Sequence, residues 1–162
     1  MLSMYDAFLY DTFTPTLVIA AYDINATIKD LAELFRELFF ADTVSVVLAD
    51  DLPFALYDRG RMKYMLHLLF DRVLESIETM ETSSDHAGEA FSTEISTSFN
   101  ERHVLVDFQI THASNPHFSI IAGGKTWLEL LEGQNCTFEV EVVEDTRQRW
   151  TLKLPIASEP PA

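Results

Sequence analysis

At 162 residues the chain has room for one domain with its own core. Hydrophobic residues make up 48% and aromatics 12%, which excludes wholesale disorder. A net charge of −15 repels phosphate backbones and anionic lipid, so it argues against nucleic-acid and membrane binding.

The same charge makes a nucleoside triphosphate a less natural ligand unless basic groups converge locally. The plainer reading is that acidity keeps the protein soluble. Cys136 is the only cysteine, so no internal disulfide forms and a reducing compartment fits. No run of about 18 apolar residues is present to span a membrane. The opening MLSMYDAFLYDTF has no basic flank and carries Asp6 and Asp11, unlike a secretory signal. A cytoplasmic protein, or a cytoplasmic piece of a larger one, is expected.

In chain order, residues 4–12 read as a short amphipathic helix with Met4, Phe8 and Leu9 on one side. Thr14-Pro15 ends it, because the residue before proline avoids the helical region. Residues 16–21 are apolar and partly β-branched, which predicts a short strand or extended arm. Asp23 is suited to cap a helix over 24–39, where Ile24, Ile28, Leu31, Leu34, Phe35, Leu38 and Phe39 recur at helical spacing. TVSVVL over 43–48 predicts a strand, and residues 50–53 a turn and linker.

The strongest helical pattern lies over 60–80, with Met62, Met65, Leu66, Leu69, Val73, Ile77 and Met80 as its buried stripe. Residues 81–90 are polar and read as a loop. Strands are predicted near 91–98 and 103–111, joined through Asn100-Glu101-Arg102. Gly123-Gly124 opens a short helix over 125–132. Residues 137–143 and 150–154 alternate like a hairpin around 144–149, and 155–162 read as a frayed tail. Mostly antiparallel strands with segregated helices predict an α+β fold: a two-layer sandwich, its mixed sheet covered by helices on one face.

Several stretches in order carry a resemblance: DLAELFREL, SVVLADDLP, YDRGRMKYMLHLLFDRVLES and CTFEVEVVEDTRQRWTLKLPI. Together they resemble the histidine-kinase ATP-binding domain, of the same fold as the gyrase-type ATPases. That family runs from an amphipathic helix to a strand, an acidic-Leu-Pro turn, Asp-x-x-Arg-Leu and the helix of the asparagine box. It closes on a hairpin ending in Leu-Pro-Leu. The opening LSMYDAFLYD is similar to the tail of the dimerisation helix that precedes such domains. The resemblance spans about residues 2–156. It divides the chain into an N-terminal helix and arm (1–22), the ATP-binding-like domain (23–156) and a flexible tail (157–162).

The resemblance also locates departures. The asparagine box has two Asn residues four apart, the second holding the magnesium of the triphosphate. His67 and Asp71 stand there, with Glu75 one turn further along the same polar stripe. Asp71 remains a competent magnesium ligand, since hard cations take carboxylate oxygen. The family's Asp-x-Gly-x-Gly box, whose Asp receives the adenine amino group, aligns with His112, Ser114 and Pro116. A protonated imidazole cannot accept that hydrogen bond, and proline fixes φ and removes a donor. The lid is essentially missing, because only residues 117–122 separate Pro116 from Gly123-Gly124-Lys125. That Gly-Gly-Lys could form an anion nest, although a Gly-Gly before a helix is commonly just a tight turn. None of His67, His86, His103, His112 or His117 occupies the place of a phospho-accepting histidine.

His67, Asp71, Glu75 and His112 are competent ligands for a metal, and the resemblance puts them on one cleft. The competing account is a solvated polar stripe opposite the helix core. No Gly-x-Ser-x-Gly elbow is present, and Cys136 reads as a small buried hydrophobe. Met62, Met65 and Met80 read as core, and Trp127 and Trp150 as core or as partner anchors.

The resemblance therefore implies a degenerate ATP-binding domain with no cofactor, serving as a protein-interaction module in a two-component pathway. A response regulator or partner kinase would dock on it, and the N-terminal helix could make a homodimer. Two alternatives stay open. One is an active kinase domain holding Mg-ATP through Asp71 and a divergent pocket. The other is a phosphotransfer protein whose acceptor histidine lies outside this chain.

Overall fold

The computed structural model describes residues 16–35, 44–82, 92–111, 129–144 and 147–158, without the side chains of 35, 74–82, 92 and 144. The predicted helix over 4–12, the loop residues 83–90 and the start of the predicted helix at 125 lie outside these. The elements in order are β1 (Ile19–Tyr22), α1 (Ile24–Phe35), β2 (Val44–Val47), β3 (Ala55–Asp58), α2 (Arg59–Thr82), β4 (Ser92–Phe99), β5 (His103–Thr111), β6 (Thr137–Glu144) and β7 (Arg147–Pro155). A helical turn at 129–131 precedes β6. No helix among the described residues is long and apolar enough to cross a membrane.

The main sheet has the order β2-β4-β5-β7-β6. β2 runs parallel to β4, and every other neighbouring pair is antiparallel. A parallel pair needs a crossover, which α2 supplies between β3 and β4. The result is the expected α+β mixed sheet with helices on one side.

Both helices start where a carboxylate caps them. Asp23 Oδ1 accepts the amide of Asn25 at 3.0 Å, and the Asp23 carbonyl accepts that of Ala26 at 3.1 Å. Asp58 Oδ1 accepts the amide of Arg61 at 3.0 Å, three residues into α2. Ile24, Ile28 and Leu31 of α1 are fully buried, but Leu34 is 41% exposed, against expectation. At about 100° per residue Leu34 falls roughly a quarter turn off the line through the other three.

In α2, Met62, Met65, Leu66, Leu69 and Val73 are buried as their spacing predicts, and Phe70 joins them. The side chains of Ile77 and Met80 lie outside the described residues. Opposite the helices stand Ile95, Val104, Val106, Phe108, Ile110, Trp150, Leu152 and Leu154, alternating along their strands. An aromatic column links the layers. The Phe70 ring lies 5.9 Å from Phe108, and Phe108 lies 5.7 Å from Trp150. The indole N–H of Trp150 donates to Gln148 Oε1 at 3.2 Å, so its one polar atom is satisfied inside the core.

Three elements differ from the sequence expectation. β3 falls where the sequence assigned no element, just after the turn at 50–53: Ala55 to Asp58 pair antiparallel with β1 from Tyr22 back to Ile19. Four residues pressed between a proline turn and a helix cap show too little alternation to be seen as a strand. The hairpin loop is tighter than residues 144–149, because Arg149 pairs with Glu141 and Arg147 with Glu144, beyond a register shift near Val142. The C-terminal tail begins later than residue 155. Ile156 bridges to Ala55, its amide donates to the Arg102 carbonyl, and the Ala157 amide donates to Phe54 at 2.9 Å.

Phe108→Ala should cost about 3–5 kcal/mol by opening a cavity between two other aromatics. Urea unfolding should show this as a lower midpoint with an unchanged slope. Removing the α1 cap with Asp23→Ala should cost about 1 kcal/mol. Asp58→Ala should cost more, because its other oxygen also holds the Val18 amide at 2.8 Å. Equal losses in the two variants would contradict this.

Candidate functional site

α2 sets the site. Its core stripe fixes the rotation of the helix, and that rotation decides where His67 and Asp71 point. His67 is only 2% exposed, so the solvated-stripe account fails for it. Its Nδ1 lies 3.4 Å from Asp71 Oδ2, across one helical turn. The Tyr64 ring is stacked with the imidazole at a centroid distance of 6.5 Å and an interplanar angle of 12°. Asp71 itself keeps 46% of its side chain exposed. One end of the pair is thus sealed and the other open.

A hard cation at Asp71 would meet a carboxylate whose Oδ2 already lies 3.4 Å from an imidazole nitrogen. Among the described residues no group of three or more His, Cys, Asp or Glu is placed to hold a metal ion. The side chain of Glu75 and all of His112, Ser114, Gly123, Gly124 and Lys125 lie outside the described residues, as does Trp127. The structure therefore brings His67 and Asp71 together and leaves the other six site residues unplaced.

The first turns of α2 carry three cations, Arg59, Arg61 and Lys63, in a strongly acidic chain. Lys63 is 9% exposed. Burial holds its ammonium below the ordinary lysine range, helped by Arg59 and opposed by Asp30. Arg59 lies with its guanidinium carbon 6.0 Å from the Tyr22 ring centre. Beneath them the Tyr57 and Thr27 hydroxyls share a hydrogen bond of 3.1 Å. Burial drives the Tyr57 phenol well above its ordinary range, and Thr27 opposes the shift.

Two buried polar groups had no signal in the sequence. Asp107 projects from the sheet face away from the helices yet is only 4% exposed. Its Oδ1 accepts from Arg149 Nε at 3.0 Å and from the Thr151 hydroxyl at 2.8 Å. The hydrogen bond and charge of Asp107 raise the Arg149 guanidinium further. Gln134 is 1% exposed and accepts the Asp58 amide at 2.8 Å through Oε1. Its Nε2 donates to the Leu130 carbonyl. Alternation alone marks Asp107 as an outward, solvated residue, and Gln134 sits in a turn. Only the register with β7 could have paired Asp107 with Arg149 and Thr151.

This arrangement, a five-stranded mixed sheet backed by α1 and the long α2, is the fold of histidine-kinase catalytic, ATP-binding domains. The nucleotide-free catalytic domain of histidine kinase ThkA superposes with a TM-score of 0.65 at 15% identity, covering 86% of this chain and 98% of that one. Histidine kinase AdeS of Acinetobacter baumannii gives 0.63 at 12% identity, covering 93% and 73%. ThkA in complex with the response regulator TrrA gives 0.63 at 14% identity, covering 94% of this chain and 46% of the ThkA chain. At such identities the likeness is one of fold. No family model and no curated protein matches the sequence.

Cys136 is 8% exposed, and burial pushes its thiol up to about 12. At mildly alkaline pH only about one molecule in 10⁴ then carries the reactive thiolate. Alkylation of the native protein should be at least about a hundredfold slower than in concentrated guanidinium. The sign of the linkage also follows. The unfolded thiol ionises first, so stability should fall as pH climbs from the ordinary thiol value of 9.0 toward about 12. Native and denatured alkylation rates that agree would refute the burial.

Proposed function

We propose that this chain is a signalling module with the histidine-kinase catalytic fold whose nucleotide site is lost, and that it works by protein contact in a two-component pathway. The observation that carries this is the His67–Asp71 pair. In the resemblance these positions belong to the two asparagines of the nucleotide cleft. Here one is an imidazole packed to 2% exposure, and it lies 3.4 Å from the carboxylate that would otherwise take the magnesium. Withdrawing that carboxylate for a cation would cost the imidazole its charged neighbour. The sequence around His112, Ser114 and Pro116 supports the same reading, since it lacks the acceptor and the glycines of the adenine box.

The protein-contact part rests on the preserved frame and its surface. Exposed valines occur in adjacent pairs on both terminal strands of the main sheet, Val46-Val47 on β2 and Val142-Val143 on β6. Such edges can accept a partner's backbone as well as its side chains. ThkA, which shares the fold, is seen in complex with the response regulator TrrA, so a response regulator is the partner to try first.

The half-open carboxylate of Asp71 favours the second reading, an active kinase domain binding Mg-ATP through it. Calorimetric titration with ATP, with and without magnesium, separates the two. The proposal expects no saturable heat at millimolar ATP from folded protein, and Asp71→Ala should lower stability by no more than about 1 kcal/mol, as for a half-exposed pair one helical turn apart. Micromolar binding that Asp71→Ala abolishes would overturn the loss of the nucleotide site and favour the kinase reading instead. Failure to recover any response regulator or kinase in a pull-down under phosphorelay conditions would remove the partner assignment.

A further inference from the structure

The arm that precedes α1 is held at two points that have nothing to do with α1. The Val18 amide donates to Asp58 Oδ2 at 2.8 Å. The other oxygen of the same carboxylate caps α2 through the Arg61 amide at 3.0 Å. The Asp58 amide is in turn held by Gln134 Oε1 at 2.8 Å. Gln134 itself sits between two residues in the left-handed region, Gly133 at φ 79° and Asn135 at φ 56°. That turn points its side chain inward, where Nε2 returns to the Leu130 carbonyl. Leu17 covers the turn: a Cβ on Gly133 would stand 3.0 Å from Leu17 Cδ2. Glycine meets both the backbone angle and this close approach without strain.

Three segments far apart in sequence thus meet at one residue, Asp58, which is 3% exposed: two on its carboxylate and one on its amide. They are the arm, the first turn of α2, and the stretch 130–136 that leads into β6. We propose that the arm is a latch: displacement of the chain at Leu17-Val18 releases Asp58, and through it loosens both the α2 N-terminus and the Gln134 turn. The physical basis is that a carboxylate shared by two amides and backed by a third hydrogen bond is a cooperative unit. Removing one donor leaves a buried carboxylate under-solvated, which raises the free energy of the closed arrangement and so lowers the cost of opening it at all three points. Whatever acts on residues before Thr16 is then felt at the helix that carries His67 and Asp71. This inference does not depend on whether nucleotide binds.

Val18→Pro tests it, because proline deletes the one donor without altering Asp58. Val18 precedes the β1 ladder, where proline is tolerated, and Val18→Ala keeps the donor as a control. Amide hydrogen exchange of the intact chain is the readout. The latch predicts exchange at Asp58, Arg61 and Gln134 faster by about tenfold or more in Val18→Pro, with β5 and β7 unchanged and Val18→Ala like wild type. Unchanged rates at those three amides would overturn it. Equal acceleration across β5 and β7 would overturn it too, by showing that the arm serves only global stability.

Discussion

The contact on which the rest depends is the packing of one face of α2 against the main sheet, through Phe70, Phe108 and Trp150. A fully buried large apolar side chain contributes about 1.5–3 kcal/mol, so the six buried residues of α2 and their partners dominate the fold. That packing also fixes the helix rotation. His67 lies three residues before Phe70, on the flank of the core, and is drawn into it. Asp71 follows Phe70 directly and reaches the surface. The asymmetry of the pair is therefore a consequence of the core, not of any ligand.

Around that core, buried polar groups stitch distant segments together. The Asn25 side chain donates to the Ala49 carbonyl and accepts from Thr97, whose hydroxyl also takes the Ala49 amide, joining α1, the end of β2 and β4. Thr27 meets Tyr57, Asp58 meets Val18 and Gln134, and Asp107 meets Arg149 and Thr151. Each is a polar group whose burial would cost several kcal/mol if left unmatched. Matched, such groups specify register, because a strand slipped by one residue would expose the apolar set and break them together.

The fold persists at 12–16% identity to histidine-kinase catalytic domains because it is stored in apolar periodicity and strand pairing, which many sequences satisfy. Ligand chemistry is stored in a few side chains that the frame does not need. The aromatic column and the two helix caps belong to the frame and not to any ligand shell.

What the chain alone determined was whatever has local period. The stripe of α2, the cap at Asp23, the β4–β5 pair and the β6–β7 hairpin all follow from local pattern, and the two helices, the acidic-Leu-Pro turn and the closing hairpin, in that order, carried the family resemblance. What only the tertiary structure decided was whatever depends on a partner distant in sequence. β3 is a strand because β1 and Ile156 lie beside it, not because of its own four residues. Leu34 is exposed because the core ends a quarter turn away, and Asp107 is buried because register sets Arg149 and Thr151 over it. His67 reads as polar from its residue type and is buried by the rotation of its helix. Periodicity is written residue by residue, whereas burial is a property of what the rest of the chain brings alongside.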